Sequence, residues 1–494
     1  MQARALLGLL ALLFSAAGCA SLDAENAELE DGAAAYRDGR YDDAELIWRQ
    51  ALADSEVFGE ADPRLAQSLR VLANLYIHQG RYDEARPLLE RWLAIREREG
   101  RAGDASYAEG LDALAGIHVV QGRHAEAADL YERARSVREE DALIDNVDYA
   151  ANLENLAASY EALRREDDAA ELYASAIEIR ERVDGAYAKE LARSLHRLGV
   201  IEQDRGRYRE ALALYERARR IHDGELDSDE LETAALLTDL GSLYCALGRY
   251  DDSLAVLVQA RSLREENLGK YHVETANTVN QLAVTLAEMR RLDEAEREHR
   301  WVLALRQKEF GSESAAVASS LNNLAMVYQY RREYEEAEEL FSRALEIRIA
   351  ALGAEHRQVA AIHNNLGALH KLTGDLGPAE QSLRDALAIQ EKTIGPGHPE
   401  TATTLQNLAD VLVERGSTAA AEPLLRRALA IREAAYGAEH PEVAATLALL
   451  GSLHATRRDA DAASADYERA LAIGLSAIEQ VDAERRLRAL RALR

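Results

Sequence analysis

Aromatic residues make up only 5% of this 494-residue chain, prolines number seven and cysteines two. So few prolines leave little to interrupt a helix, and two cysteines cannot staple a disulfide-built scaffold. Positive charge is also short, with 59 lysines and arginines against 87 aspartates and glutamates, a net charge of −28. Binding along a phosphate backbone needs a basic surface, which argues against nucleic acid as a partner. No apolar run reaches the roughly 20 residues that a membrane-spanning helix requires. What is abundant is alanine, leucine, glutamate and arginine, which lose little rotamer freedom in a helix. The hydrophobic share of 48% is enough for a packed core, against wholesale disorder.

The first residues are of another kind. Arg4 is the only charged side chain before Asp23, and an apolar run from Ala5 to Ala17 leads to Gly18-Cys19. A basic start, a short apolar stretch and small residues before a cut describe an export signal. Ala16-Ala17-Gly18-Cys19 resembles the lipobox of bacterial lipoproteins, with alanine at 16 where that family usually has leucine. The resemblance implies a signal peptide over residues 1–18 and lipidation of Cys19 as the new N-terminus. Membrane contact is then through the lipid anchor alone, which holds firmly when two or more acyl chains share one residue. Ala20 after the lipobox implies the outer membrane, facing the periplasm; a secreted or cell-surface location is the alternative. A cut near Ala20 that discards Cys19, or an uncleaved anchor, is the competing reading. With Cys19 lipidated, Cys245 has no partner and is expected as a small buried side chain.

The rest of the chain repeats itself. Leu72, Leu114, Leu156, Leu198, Leu240, Leu282, Leu324, Leu366, Leu408 and Leu450 form a column at a constant step of 42, each followed by alanine or glycine. A second small column runs from Ala85 through Ser253 to Ala463 at the same step. Within a unit the apolar residues fall at helical spacing, as in Leu321, Leu324, Ala325 and Tyr328, then Ala337, Phe341, Ala344 and Leu345. Each unit therefore reads as two helices. Gly80-Arg81-Tyr82 and Gly248-Arg249-Tyr250 are the turns between them, glycine tolerating the left-handed backbone that ends a helix. Asp83-Glu84 and Glu335-Glu336 open second helices, where the dipole favours negative charge. Between units stand Gly269, Gly311, Gly353, Gly395 and Gly437, and Pro63, Pro399 and Pro441 begin the next pair. No single pair can cover its own apolar face, so stability must come from stacking. The expected fold is all-α: an α-solenoid superhelix of about ten to eleven stacked helix-turn-helix repeats, its core continuous along its length.

Leu324-Ala325-Met326-Val327-Tyr328, followed by Ala337 and Ala344, resembles the tetratricopeptide repeat. The step of 42, Leu321-Asn322-Asn323-Leu324-Ala325 and Arg343-Ala344-Leu345-Glu346-Ile347-Arg348 resemble its kinesin light chain-like subtype. The resemblance covers residues 33–475. Residues 19–32 are expected to be a linker with a degenerate first helix, Asp31 standing where the leucine belongs. Residues 476–494, with Leu487, Leu490 and Leu493 on one side, read as a capping helix or, alternatively, a basic docking tail.

Chemistry is hard to place on this pattern. No phosphate-binding glycine loop ending in Gly-Lys-Ser/Thr is present, and no His-Glu-x-x-His. His272, His356, His398 and His440 recur at multiples of 42, but neighbouring repeats lie roughly 10 Å apart, too far for two ligands of one ion at ~2 Å. They are expected to cap helices. His363 stands in a column of leucines and valine and is expected half-buried. No catalytic residue, cofactor or metal is assigned.

The polar positions before the leucine column are the expected working surface. Arg70, Asp112, Glu154, His196, Thr238, Asn280, Asn322, Asn364 and Gln406 form one row, with Asn155, Arg197, Asp239, Gln281, Asn323, Asn365 and Asn407 beside it. The resemblance implies that first helices line a concave face where asparagines grip the backbone of an extended peptide. Asn323, Asn365 and Asn407 are the foremost candidates, then Asn322 and Asn364, with Asn280, Gln281 and Gln406 completing the set. An amide both donates and accepts hydrogen bonds, as a peptide unit does. Val71, Ala113 and Leu449 break the row, so the groove should be best formed over residues 280–410. Acidic members such as Asp112, Glu154, Asp239 and Asp410 would favour ligands carrying lysine or arginine. The bland alternative is that these residues merely face water. Two functions remain: a non-catalytic adaptor binding peptide segments or partner proteins at the bacterial cell envelope, or a structural component of an envelope assembly or secretion complex using broad surfaces.

Overall fold

The computed structural model describes residues 27–474, apart from 58, 60–62, 145, 184–187 and 225–228, together with residues 483–488. The signal segment and Cys19 lie outside the described residues, as do Leu490 and Leu493.

The described residues form 22 named helices in eleven antiparallel pairs, with no strand among them. First helices include α1 (Ala27–Arg37), α9 (Ala188–Asp204), α11 (Glu230–Ala246), α13 (Val273–Glu288), α15 (Ala315–Arg331), α17 (Arg357–Thr373), α19 (Pro399–Glu414) and α21 (Pro441–Thr456). Their second-helix partners include α10 (Tyr208–Gly224), α14 (Leu292–Phe310), α16 (Tyr334–Leu352) and α20 (Thr418–Tyr436). Packing gathers them into two compact units, residues 1–198 and 199–494. The repeat columns run through that division unchanged. Leu198, at that division, is half-buried where the other nine leucines of its column are buried.

The small columns explain how tightly each pair closes. Ala85, Ala127, Ala169, Ala211, Ala295, Ala337, Ala379, Ala421 and Ala463 have no exposed surface. Opposite the glycines of the first-helix column stand large side chains 16 residues on. A Cβ added at Gly241 would lie 2.5 Å from Cγ of Leu257, and one at Gly199 would lie 2.5 Å from the Tyr215 ring. Small against large, repeated, produces the interdigitation of a close-packed interior. The facing side chains of the second helix fill the groove that the small residues leave.

Each turn between first and second helix passes through one left-handed residue. Gly80, Gly122, Gly206 and Gly248 hold that place with φ between 71° and 75°. Arg164, Arg290, Arg332 and Arg458 hold it elsewhere, with φ between 60° and 67°. Side-chain caps open the first helices at another column of step 42. Asp104 and Asn146 accept the amide hydrogens of Tyr107 and Tyr149, and Ser314 that of Val317. The four recurring histidines belong to this column: His272, His356, His398 and His440 each accept through Nδ1 from the residue two places on, at 3.1–3.2 Å. At the other end, Ala483 and Leu487 of the described segment 483–488 are buried against Tyr467 and Ala463.

Candidate binding face on the first helices

From α11 to α19 each first helix reaches the next first helix, closer than successive second helices come, so first helices line the inside of the curve. The rows singled out in the sequence sit there. Asn323 donates through Nδ2 to Oδ1 of Asn280 at 3.1 Å, and Asn365 to Asn322 at 3.0 Å. Asn407 donates to Asn364 at 3.1 Å, each bond reaching back 43 residues. Asn322 Nδ2 closes on Asn323 Oδ1 at 3.2 Å, joining Asn280, Asn322, Asn323 and Asn365 into one connected set. Asn364 and Asn407 form a second, with the Thr404 hydroxyl also donating to Asn364 at 3.1 Å.

This ladder runs along four consecutive first helices, α13 to α19. Asn280 is buried, while Asn322, Asn323, Asn364, Asn365 and Asn407 are half-buried. An asparagine offers two donors and two acceptor sites, and the bonds above occupy only part of them. The remaining capacity is what a peptide backbone could use. Gln281 is half-buried beside Asn280. Gln406 is drawn elsewhere: its Oε1 accepts from Arg432 and, at 3.5 Å, from Thr446.

Arg432 belongs to a column that the sequence reading missed. Arg138, Arg180, Arg264, Arg306, Arg348 and Arg432 recur at multiples of 42 near the ends of second helices, and all six are buried. Each guanidinium is spent on neighbouring first helices. Arg264 donates to the carbonyl of Glu274 at 2.7 Å and the hydroxyl of Thr278 at 2.6 Å. Arg306 repeats this on Ala316 and Ser320, Arg432 on Glu442 and Thr446. In the first unit the column binds carboxylates of the inner row: Arg138 meets Asp112 at 2.5 Å and Arg180 meets Glu154. The constant step was the signal that could have found it.

Three of the acidic residues expected to draw a basic ligand already hold partners within the chain. Asp112 is 1% exposed and also accepts from Asn152, Glu154 accepts from Ser194 as well as Arg180, and Asp410 pairs with Lys371 at 2.9 Å. His363 is half-buried, with its pKa lowered by that burial. Cys245 is half-exposed as a residue, yet burial of its thiol pushes the pKa up to about 11, far from a ready nucleophile. Among the described residues no group of three or more histidine, cysteine, aspartate or glutamate side chains could hold a metal ion. Nor is any described helix long and apolar enough to cross a membrane.

The model of the tetratricopeptide repeat family matches residues 24–98, 65–140, 106–182, 148–224, 190–266, 232–308, 316–392, 379–434 and 416–476. The chain belongs to the tetratricopeptide repeat family. Repeats of this family in general form non-catalytic scaffolds that bind protein or peptide partners. No curated protein matches this tetratricopeptide repeat chain. Among solved structures it is similar to BtubC (BKLC) from P. vanneervenii, at 25% identity over 56% of this chain and 93% of that one, with a TM-score of 0.29. The putative kinesin light chain repeats of Podosopora anserina match at 24% identity over 42% of this chain and 98% of theirs, TM-score 0.32. The apo quorum sensor NprR from B. thuringiensis matches at 15% identity over 82% of this chain and 97% of its own, TM-score 0.44.

Proposed function

We propose that this protein is a non-catalytic adaptor at the bacterial cell envelope, tethered through a lipidated Cys19, that binds peptide segments of partner proteins along its inner face. The observation that carries the reading is the asparagine ladder from Asn280 to Asn407, two hydrogen-bonded sets of amides, half-buried except for the buried Asn280, on four consecutive first helices. Backbone recognition suits such a row, because a polypeptide offers the same donor and acceptor at every residue.

Replacing Asn323 and Asn365 by leucine tests this. Client capture from the native cells, by crosslinking the exported protein, should fall at least tenfold while the helical signal and melting temperature stay close to the parent's. Undiminished capture by the double variant would move the binding to broad solenoid surfaces, as a structural component of an assembly would use. The anchor is tested separately, by mass spectrometry of the mature N-terminus. An unmodified Cys19 in a protein recovered from the cytosol would end the proposed address and leave the binding face untouched.

A further inference from the structure

Within the second unit the superhelix comes back to touch itself. α9 ends at Asp204 and α11 runs to Ala246; five pairs later in each case stand α19 and α21, opened by His398 and His440. Arg357 bridges the two levels, donating to Asp204 at 3.2 Å and to Glu400 at 3.2 Å. The Tyr208 ring lies 5.5 Å from that of Tyr436, which stacks on His440 at 4.5 Å. His440 meets the carbonyl of Leu247 through Nε2 at 3.2 Å. Gly206 makes the approach possible, because a Cβ there would lie 2.2 Å from Cδ of Pro399. His398 is only 2% exposed in this seam.

Five pairs per turn limits what fits inside. First helices spaced about 10 Å apart make a ring about 16 Å across between axes. Subtracting a helix diameter of roughly 10 Å leaves a passage of roughly 6 Å, too narrow for a helix and close to the ~5 Å width of an extended backbone. The ladder lies on four of the five helices of that turn. We propose that the Asp204–Arg357 and Tyr208–Tyr436 seam is a gate that opens to admit the peptide segment to this face. The inference rests on the binding face proposed above.

The test uses the full chain with Cys19→Ser and Cys245→Ser, carrying Asp204→Cys and Arg357→Cys. Its probe is fluorescein-labelled lysozyme, either native or reduced and carbamidomethylated, so that sequence and charge are shared and only folding differs. The unlinked variant should bind the unfolded chain and not the native one. A short bis-maleimide across the cysteines should slow association at least tenfold, and the same linkage made after loading should slow release as much. Tyr208→Cys with Tyr436→Cys repeats the comparison should the first pair perturb folding. Equal binding of native lysozyme, or association unaffected by linkage in both pairs, overturns the gate alone. Binding of neither probe by the unlinked protein overturns the binding face and the gate with it.

Discussion

Arg138 reaches back 26 residues to close a buried ion pair with Asp112 at 2.5 Å, and Asn152 donates to the other carboxylate oxygen at 2.7 Å. Breaking such a pair strands a charge away from water, which costs about 3–5 kcal/mol. Asp112→Leu and Arg138→Met are each expected to destabilise the first unit by about that amount. The double variant should be much less damaged than the sum. Denaturant unfolding of the four proteins closes the cycle, and additive losses would show that the charges do not depend on one another.

Leu324 is 4% exposed on α15, at the centre of the repeat register. Leu324→Ala should cost ~2–5 kcal/mol through the cavity it leaves. Hydrogen exchange should speed first in α15, α16 and α17. Parental protection throughout would mean that the register is misassigned.

Gly241→Ala places a methyl group 2.5 Å from Cγ of Leu257. Overpacking of this kind costs about 1–3 kcal/mol. Adding Leu257→Ala should make the second substitution less costly than it is in the parent, a non-additivity readable in thermal melts.

His299 occupies a second-helix core position on α14 and is 1% exposed. Burial, with the nearby Arg306 charge, holds its pKa down to about 4 against 6.5 for an ordinary histidine. Below about pH 6.5 the unfolded chain therefore takes up a proton that the folded one refuses. Stability falls as pH drops from 6.5 towards 4, by up to about 3 kcal/mol from this residue. His299→Leu should flatten that part of the curve relative to the parent. Parallel pH profiles for the two proteins would contradict it.

Arg332 holds φ +67° at an exposed turn, where a side chain strains the left-handed backbone. Arg332→Gly relieves that strain but gives the unfolded chain more freedom. A net gain of up to about 1 kcal/mol is expected, read as a higher melting temperature.

The repeat was legible because leucine and alanine recur at one step, and the histidine caps because side chains one repeat apart stand too far from each other to share an ion. The ladder's residues were legible as a row, though not as partners of one another. Buried arginines escaped notice because arginine normally signals a wet face, and because His222 and Gln390 interrupt their column. The seam was invisible for a different reason. Contacts between residues 193 apart, such as Leu247 and His440, depend on the small rotation from one pair to the next, summed over five pairs. No single repeat encodes that sum.

Fixed spacing between each arginine and its acceptors has an evolutionary consequence. Arg264, Arg306 and Arg432 all bond the carbonyl ten residues ahead and the hydroxyl fourteen ahead. Duplicating or deleting a 42-residue segment keeps that offset at the joint, and keeps the arginine satisfied where the joined repeat brings a hydroxyl to the fourteenth place, as Thr278, Ser320, Thr404 and Thr446 do. A joint that brings Ile362 there loses that acceptor, and a gain or loss of any other length between donor and acceptor orphans a cation.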